Sequence, residues 1–411
     1  MDDTTDVAII GAGPSGSIAA ALLAQRGHRV EIIEQSYFPR FSIGESLLPQ
    51  CMEFIEEAGM MEAVAAEGFQ LKNGAIFNWG ERFSHFDFSE KTAIGAGTTF
   101  QVQRSRFDQI LAESAVAQGV DIRFGNRICG MQSLNKGNVA LDVMDDSASI
   151  RKLRAKFVLD ASGHGRVLAR LLCLTKPSDF PVRRSLFTHI KDNIADRAYD
   201  RNKILITIHP QQKGVWFWLI PFSDGRCSLG VVAENDFFDQ LDGSSNEEQL
   251  RQSVANCSEL SVLLEGAVFD SEVQDVCGYA SNVTTLFGEN YALLGNAAEF
   301  LDPVFSSGVT IAMKSASLAA PLVSRQINGG EVDWAEEYAG RLKTGVNTFR
   351  AYVNSWYEGS LQNIIFTEAR SSNVRNMICS ILAGYAWDMG NPLVRQPERR
   401  LRAIAELCAT L

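Results

Sequence analysis

Gly11-Ala12-Gly13-Pro14-Ser15-Gly16 constrains this chain more than any other segment. Asp6 to Ile10 before it is a short apolar run and reads as a strand. Pro14 to Gln25 is rich in alanine and leucine and reads as a helix, which Gly27 closes. Arg29 to Glu34 is the next strand, so the unit is βαβ. Each glycine has a separate reason. Gly11 permits a tight turn, Gly13 lets a pyrophosphate approach the backbone, and Gly16 lets the helix lie close on the strand. The helix start, from Pro14 and Ser15 onward, offers unpaired N–H groups and the positive end of its dipole to phosphate. Glu34, about 20 residues on, stands where ribose hydroxyls are expected. An acid there argues against a 2′-phosphate. The motif predicts a bound dinucleotide and does not choose between NAD and FAD.

At 411 residues the chain is too long for one ordinary domain, and 46% hydrophobic content is enough for a sizeable core. A net charge of −11 argues against a nucleic-acid partner, because no basic surface balances phosphate. The eight cysteines (51, 129, 173, 227, 257, 277, 379 and 408) lie far apart without a CxxC pair. They read as scattered thiols of a reducing cytoplasm, with no disulfide framework and no metal site. Met1 to Asp6 is acidic and lacks the basic start of a signal peptide, and the apolar run after it is broken by glycine and proline. The sequence therefore predicts a cytoplasmic protein without a membrane span. It leaves the oligomeric state open.

Further along, a helix is expected from about 49 to 65 and antiparallel strands over 75–104. A helix over Phe107–Gln118, the strand Val120–Phe124 and a small meander over 127–160 follow. Residues 183–280 are β-rich with one helix near 246–265. Tyr291–Leu294 is a strand, followed by a Gly-rich turn and a helix through Ala312 to Ser324. The pattern predicts a discontinuous nucleotide-binding domain (1–75, 100–180 and 281–330). A β-rich substrate domain (76–99 and 181–280) interrupts it, and a helical segment (331–411) follows. Within the β-rich part, Trp216-Phe217-Trp218-Leu219-Ile220-Pro221 reads as a strand with both indoles on one face.

Three later segments extend the reading. They are Asp160-Ala161-Ser162-Gly163, Gly295-Asn296-Ala297-Ala298, and Asp302-Pro303 with Ser306-Ser307-Gly308-Val309. With the first loop they resemble the FAD-binding fold of the aromatic-hydroxylase and halogenase superfamily. The resemblance implies an α/β fold with a Rossmann-type FAD domain. The first loop would hold the ADP half, Gly295 and Asn296 the ribityl chain, and Ser307–Gly308 would face the isoalloxazine ring. The family usually carries Asp where this chain has Asn296, so the ribityl contact loses a charge.

Phe300 to Gly308 is similar to the FxxPxxSxG signature of flavin-dependent halogenases, and Trp216–Pro221 matches their WxWxIP signature in full. Arg40-Phe41-Ser42-Ile43-Gly44-Glu45-Ser46-Leu47-Leu48-Pro49 resembles their GES loop. Gln101 to Arg104, followed by Phe107-Asp108, also fits. Lys72, in Gly68 to Gly74, falls at the family's catalytic lysine. The resemblance is closest to members acting on phenolic or carrier-bound substrates, and spans most of residues 5–325.

What the resemblance implies is specific. Reduced FAD, O2 and chloride or bromide would give hypohalous acid, with halide held at the backbone of Ser307 and Gly308. Lys72 would hold the oxidant or carry the halogen to an aromatic small molecule or a carrier-bound aryl substrate. Trp216 and Trp218 would keep substrate from the flavin. Arg40, Ile43, Arg104, Asp160, Asp302, Pro303 and Val309 join Gly11, Gly13, Pro14, Ser15, Gly16 and Glu34 as expected FAD contacts. Glu45 serves either the loop or the flavin, and His164 reads as loop structure. Only one dinucleotide fingerprint is present, so reduced flavin comes from a separate reductase or NAD(P)H docks transiently. An aromatic monooxygenase or dehydrogenase without halide chemistry, and a non-catalytic FAD-binding partner protein, remain alternatives.

Overall fold

The alternation of apolar strand and small-residue helix at the start of the chain sets the first layer. The computed structural model describes residues 3–135, 137–195, 199–367 and 371–409. Strand Asp3–Ile10 lies between two parallel neighbours, Val30–Glu34 and Ile150–Asp160. Asp121–Phe124 pairs beyond the first, and Tyr291–Leu293 beyond the second. The antiparallel hairpin Asn126–Asn135 and Asn138–Asp145 joins the early half of Ile150–Asp160. Helices cover this sheet, and the parts of its strands at the centre, Val7–Ile10 and Phe157–Leu159, are continuous apolar and buried runs, as parallel strands covered on both faces require. The register sets Ile10 beside both Ile33 and Asp160, and Asp160 beside Leu293. The carboxyl ends of these strands therefore finish together, where open α/β sheets bind ligands.

A second, seven-stranded sheet runs Gln274–Cys277, Arg183–Lys191, Arg226–Glu234, Trp216–Pro221, Lys203–Ile208, Gly74–Trp79, Arg82–Asp87. All its neighbours are antiparallel except Lys203–Ile208 with Gly74–Trp79. Trp216–Pro221 sits at the centre and is buried throughout. Its alternation divides two cores. Phe217 and Leu219 face a smaller core with Phe238 and Leu250, whereas Trp216, Trp218 and Ile220 face the main core.

Three expected elements differ. The helix over 49–65 is two, Cys51–Glu57 and Met61–Ala66, because Gly59 turns with φ +68°. Residues 75–104 are not one antiparallel set. Gly74–Trp79 and Arg82–Asp87 pair, but the chain then runs irregularly from 91 to 98, and Thr99–Gln101 pairs instead with Gln70–Lys72. The helix near 246–265 is also two, Asn246–Ala255 and Ser258–Leu263, parted at Cys257, whose backbone is extended.

The tail folds back onto both layers. Trp334 stacks on Phe157 at 5.2 Å and Tyr338 donates to the Leu293 carbonyl, both on the first sheet. Helix Arg341–Tyr357 sets Tyr352 and Trp356 edge-on to Phe305. The aromatic tail is thus core, with Phe349, Tyr352 and Trp356 fully buried. Among the described residues no helix is long and apolar enough to cross a membrane, and no cluster of acidic, cysteine or histidine side chains could hold a metal. All eight cysteines are free thiols.

The closest approach in the first layer is between Gly16 and Gly11. A Cβ on residue 16 would lie 1.9 Å from the Gly11 carbonyl oxygen, which is backbone and cannot step aside. Gly16→Ala should cost about 3 kcal/mol of stability or more. Denaturant unfolding of the purified chain measures it, and an unchanged midpoint would contradict the packing described.

Candidate active site

A cavity of about 550 Å³ opens at the joined strand ends, a size typical of cofactor sites. At one end it meets the start of helix Pro14–Ala24, whose N-cap is Gly13 without a side-chain cap. The first-turn N–H groups are therefore left for a ligand. Gly11 turns with φ +96°, and a Cβ there would reach the Ala161 carbonyl oxygen at 2.8 Å. Gly13 is different: a Cβ there would meet only Arg40 Nη2, at 3.6 Å. The protein leaves that space open beside a cation, as a pyrophosphate requires.

Glu34 is fixed by two backbone donors. Its Oε2 accepts the Ala12 N–H at 2.8 Å and its Oε1 the Ser36 N–H at 2.9 Å. Its remaining lone pairs are left at the cavity wall, where they would accept from ribose hydroxyls of a bound dinucleotide. Arg40 and Arg104 both line the cavity, but they differ in freedom. Arg104 grips Asp108 with two hydrogen bonds, of 2.7 and 2.9 Å, and donates to the Ile43 carbonyl at 2.6 Å. Arg40 makes two longer ion pairs, with Asp108 at 3.2 Å and with Glu34 at 3.8 Å. Arg40 is the freer of the two, and Arg104 mainly holds the Ile43–Gly44 loop. Asp108, fully buried between them, is a site residue that the sequence reading did not assign. The signal was its i,i+4 spacing from Arg104 on helix Arg104–Ala117.

At the other end lie Asn296, Pro303, Ser306, Gly308 and Val309. Ser306 adopts a left-handed conformation (φ +54°) that turns the chain into helix Ser307–Ile327. The Asn296 amide donates to His164 Nε2 at 3.3 Å, so that ring nitrogen is an acceptor. Burial, together with Arg104 and Arg166, holds the His164 pKa below its usual value and keeps the ring neutral. His164 also lines the cavity, which loop structure alone did not suggest. Glu45 lines it too, with Oε1 2.6 Å from His189 Nε2.

Several expected contacts stand one layer back, outside the cavity wall: Gly16, Asp160, Gly295, Asp302 and Ser307. Asp160 turns into its own loop, accepting the Ser162 and Leu168 N–H groups at 3.0 and 2.6 Å. Burial pushes its carboxyl pKa up. Asp302 accepts the Val304 N–H at 3.0 Å and fixes the turn that carries Pro303. A Cβ on Gly295 would lie 2.7 Å from the Ala312 methyl, so that glycine serves packing.

The indoles of Trp216 and Trp218 form part of the wall, with centroids 5.9 Å apart. Trp218 Nε1 donates to Ser228 and Trp216 Nε1 to Tyr357, each at 3.0 Å. Lys72 lies behind the wall, 1% exposed, in the short strand Gln70–Lys72. Its Nζ donates to Ser46 Oγ at 2.7 Å and to the Leu47 carbonyl at 2.8 Å. Ser46 itself lines the cavity, so one hydroxyl separates the amine from the flavin space. Burial lowers the Lys72 pKa to about 7.

A glycine cradle without a side-chain cap, an anchored acid and an arginine beside the gap fit FAD. The family described as FAD binding domain matches residues 4–337. A carrier-protein-bound pyrrole-2-carbonyl brominase of Pseudoalteromonas luteoviolacea is 30% identical over 332 residues, covering 80% of this chain and 79% of its own length. The chain belongs to the flavin-dependent halogenase family. Its cofactor is FAD and its class oxidoreductase. A tryptophan 2-halogenase of Chondromyces crocatus is 32% identical over 82% of the chain, which spans 64% of that longer relative. The solved structure of a flavoprotein/dehydrogenase from Cytophaga hutchinsonii is 40% identical, with a TM-score of 0.96 over 99% of both chains.

Gly13 has an ordinary negative φ, so Gly13→Ala is compatible with the fold, and its methyl would enter the phosphate space. The variant should keep its unfolding midpoint and lose about tenfold or more in FAD affinity. Titration of the apoprotein with FAD, followed by flavin fluorescence, checks this.

Proposed function

We propose that the protein is an FAD-dependent halogenase that transfers chloride- or bromide-derived halogen through Lys72 to an electron-rich ring. The ring is a phenol or pyrrole, free or tethered to a carrier protein. The observation that carries the reading is the Lys72 amine: buried, half neutral near pH 7, and one hydroxyl from the flavin cavity. The kinship with a carrier-bound pyrrole brominase supports the substrate class.

Bound reduced FAD would supply two electrons and two protons to O2, so that with halide and one further proton the products are hypohalous acid and water. The chain's residues do the rest. Gly308 faces the cavity at the start of helix Ser307–Ile327, where the first N–H groups lack intrahelical partners. Such a turn suits a halide without a cationic side chain. Ser46, which lines the cavity, holds the Lys72 amine by a hydrogen bond. Neutral Nζ attacks the halogen: the N–halogen bond forms, the oxygen–halogen bond breaks, and the oxygen leaves as water with the amine proton. The ring carbon then takes the halogen, and its proton returns to nitrogen. Trp216 and Trp218 keep the ring from the flavin, which suppresses direct hydroxylation. A separate flavin reductase supplies the reduced cofactor.

A second reading, a dehydrogenase or monooxygenase without halide chemistry, is favoured by two observations. One is the likeness to the Cytophaga hutchinsonii flavoprotein/dehydrogenase. The other is the enclosure of Lys72 among Ser46, Leu47 and Phe88.

With a flavin reductase, O2, bromide and an electron-rich aromatic probe, Lys72→Ala should lower ring bromination by about a hundredfold or more. Reoxidation of the flavin by O2 should be unchanged. A variant that brominates as well as the parent sinks the lysine assignment, and a hydroxylated product regardless of halide favours the second reading. The pH dependence has a fixed sign. Below about pH 7 Nζ is protonated and cannot attack, and above it the lone pair is free. Bromination should therefore rise through about pH 7 and level off, as single-turnover rates across pH would show.

A further inference from the structure

We propose that Tyr357 is a positioning residue for Trp216, and that through this bond the C-terminal helix sets how tightly the flavin cavity is sealed. The proposal rests on reading Trp216 as the wall between flavin and substrate. Tyr357 ends helix Arg341–Tyr357, in the tail that the family motifs did not reach. Its hydroxyl receives Trp216 Nε1 at 3.0 Å and stands 2.9 Å from Asp302 Oδ2.

The direction of this line is forced by chemistry. An indole N–H only donates, an ionised carboxylate only accepts, and a phenol does both. Trp216 therefore donates to Tyr357, and Tyr357 donates to Asp302. Asp302 is itself held, with Oδ1 taking the Val304 N–H in the turn that carries Pro303. Trp216 and Pro303 both line the cavity. Two walls of the flavin site, 87 residues apart in sequence, are thus tied to each other through a tail hydroxyl.

The tie is buried at both ends, and Tyr357 between them is partly buried. Trp216 and Asp302 are 1% and 2% exposed. The Arg183 guanidinium lies 3.3 Å from the centroid of the Tyr357 ring and 4.0 Å from Asp302 Oδ2. The Tyr279 hydroxyl lies in the field of the same carboxylate, beside Ser185. Burial pushes the Tyr357 phenol well up, so it remains a donor. The same burial lifts Asp302 to about 6, against the opposing pull of the Val304 N–H, Arg183 and Tyr357. Protonation of Asp302 makes the carboxyl a donor as well and removes the forced direction, loosening the indole.

Tyr357→Phe deletes the hydroxyl and keeps the ring on Arg183. The first measurement uses the apoprotein. Near-UV circular dichroism of parent minus Trp216→Phe isolates the Trp216 band, and acrylamide quenching reports its exposure. In Tyr357→Phe the band should collapse and quenching rise, while FAD affinity stays within about threefold of the parent. An unchanged band and unchanged quenching overturn the proposal. In the parent the Trp216 band should also titrate with a midpoint near pH 6 (the Asp302 carboxyl), and this should vanish in Tyr357→Phe. A pH-independent parent band overturns it even if the variant does not fold. The second measurement is on reconstituted enzyme with bromide and an aromatic probe. The ratio of peroxide plus hydroxylated product to brominated product should rise roughly tenfold, the worth of one buried charge-assisted hydrogen bond. If the band collapses and that ratio stays constant, Tyr357 positions Trp216, the indole is no barrier, and the wall reading falls instead.

Discussion

The backbone contact between Gly11 and Gly16 is the constraint on which the rest of the site depends. It lets helix Pro14–Ala24 sit directly against the end of strand Asp3–Ile10, with its N-terminus at the cavity. A bulkier residue at either position would lift the helix off and carry its N–H groups away from any phosphate. Ala161 closes the same space from the neighbouring strand, because the Gly11 turn approaches its carbonyl. The register of Ile10 with Asp160 then follows, and so does the position of Asp160, whose carboxylate ties down the loop beyond.

The site is built from buried polar groups that hold each other rather than from groups simply exposed to ligand. Asp108 neutralises Arg104 and steadies Arg40, which leaves one arginine structural and one freer. Asp302, Tyr357 and Trp216 form a second such line, and Lys72, Ser46 and Leu47 a third. Each keeps a polar atom satisfied where water is excluded, since an unpaired one there would cost about 1–3 kcal/mol. The cost falls on ionisation instead: Lys72 is drawn down to about 7 and Asp302 up to about 6. Both values lie where a change of protonation state takes place in neutral solution.

The fingerprint glycines, Glu34, the tandem tryptophans and the turn at Ser306–Gly308 were legible because each rests on a local rule. A glycine at a close approach, an acid at a strand end and alternation along a strand depend on a few neighbours in sequence. The departures have equally local physical reasons. Gly59 ends a helix that hydrophobic periodicity alone continues. Thr99–Gln101 pairs with Gln70–Lys72 across a long excursion, and no periodicity carries that information. The family resemblance implied Asp160 and Asp302 as cofactor contacts; Asp160 instead ties down its own loop, and Asp302 holds the Val304 N–H and the Tyr357 hydroxyl.

By itself the sequence determined the dinucleotide fold, because glycine spacing acts through backbone geometry, while FAD as the cofactor and kinship with the halogenases came from the resemblance of its motifs to that family. Only the tertiary structure decided which charges face the cavity and which are spent on one another. Arg104 and Arg40 look alike in sequence, and their difference is made by Asp108. Lys72 falls at the family's catalytic lysine by resemblance, but only the fold shows it enclosed behind Ser46 and stripped of water. Tyr357 carries no motif, and its hydroxyl matters because folding brings the tail between Trp216 and Asp302. Burial and pairing are properties of places in space, so a pattern along the chain could not contain them.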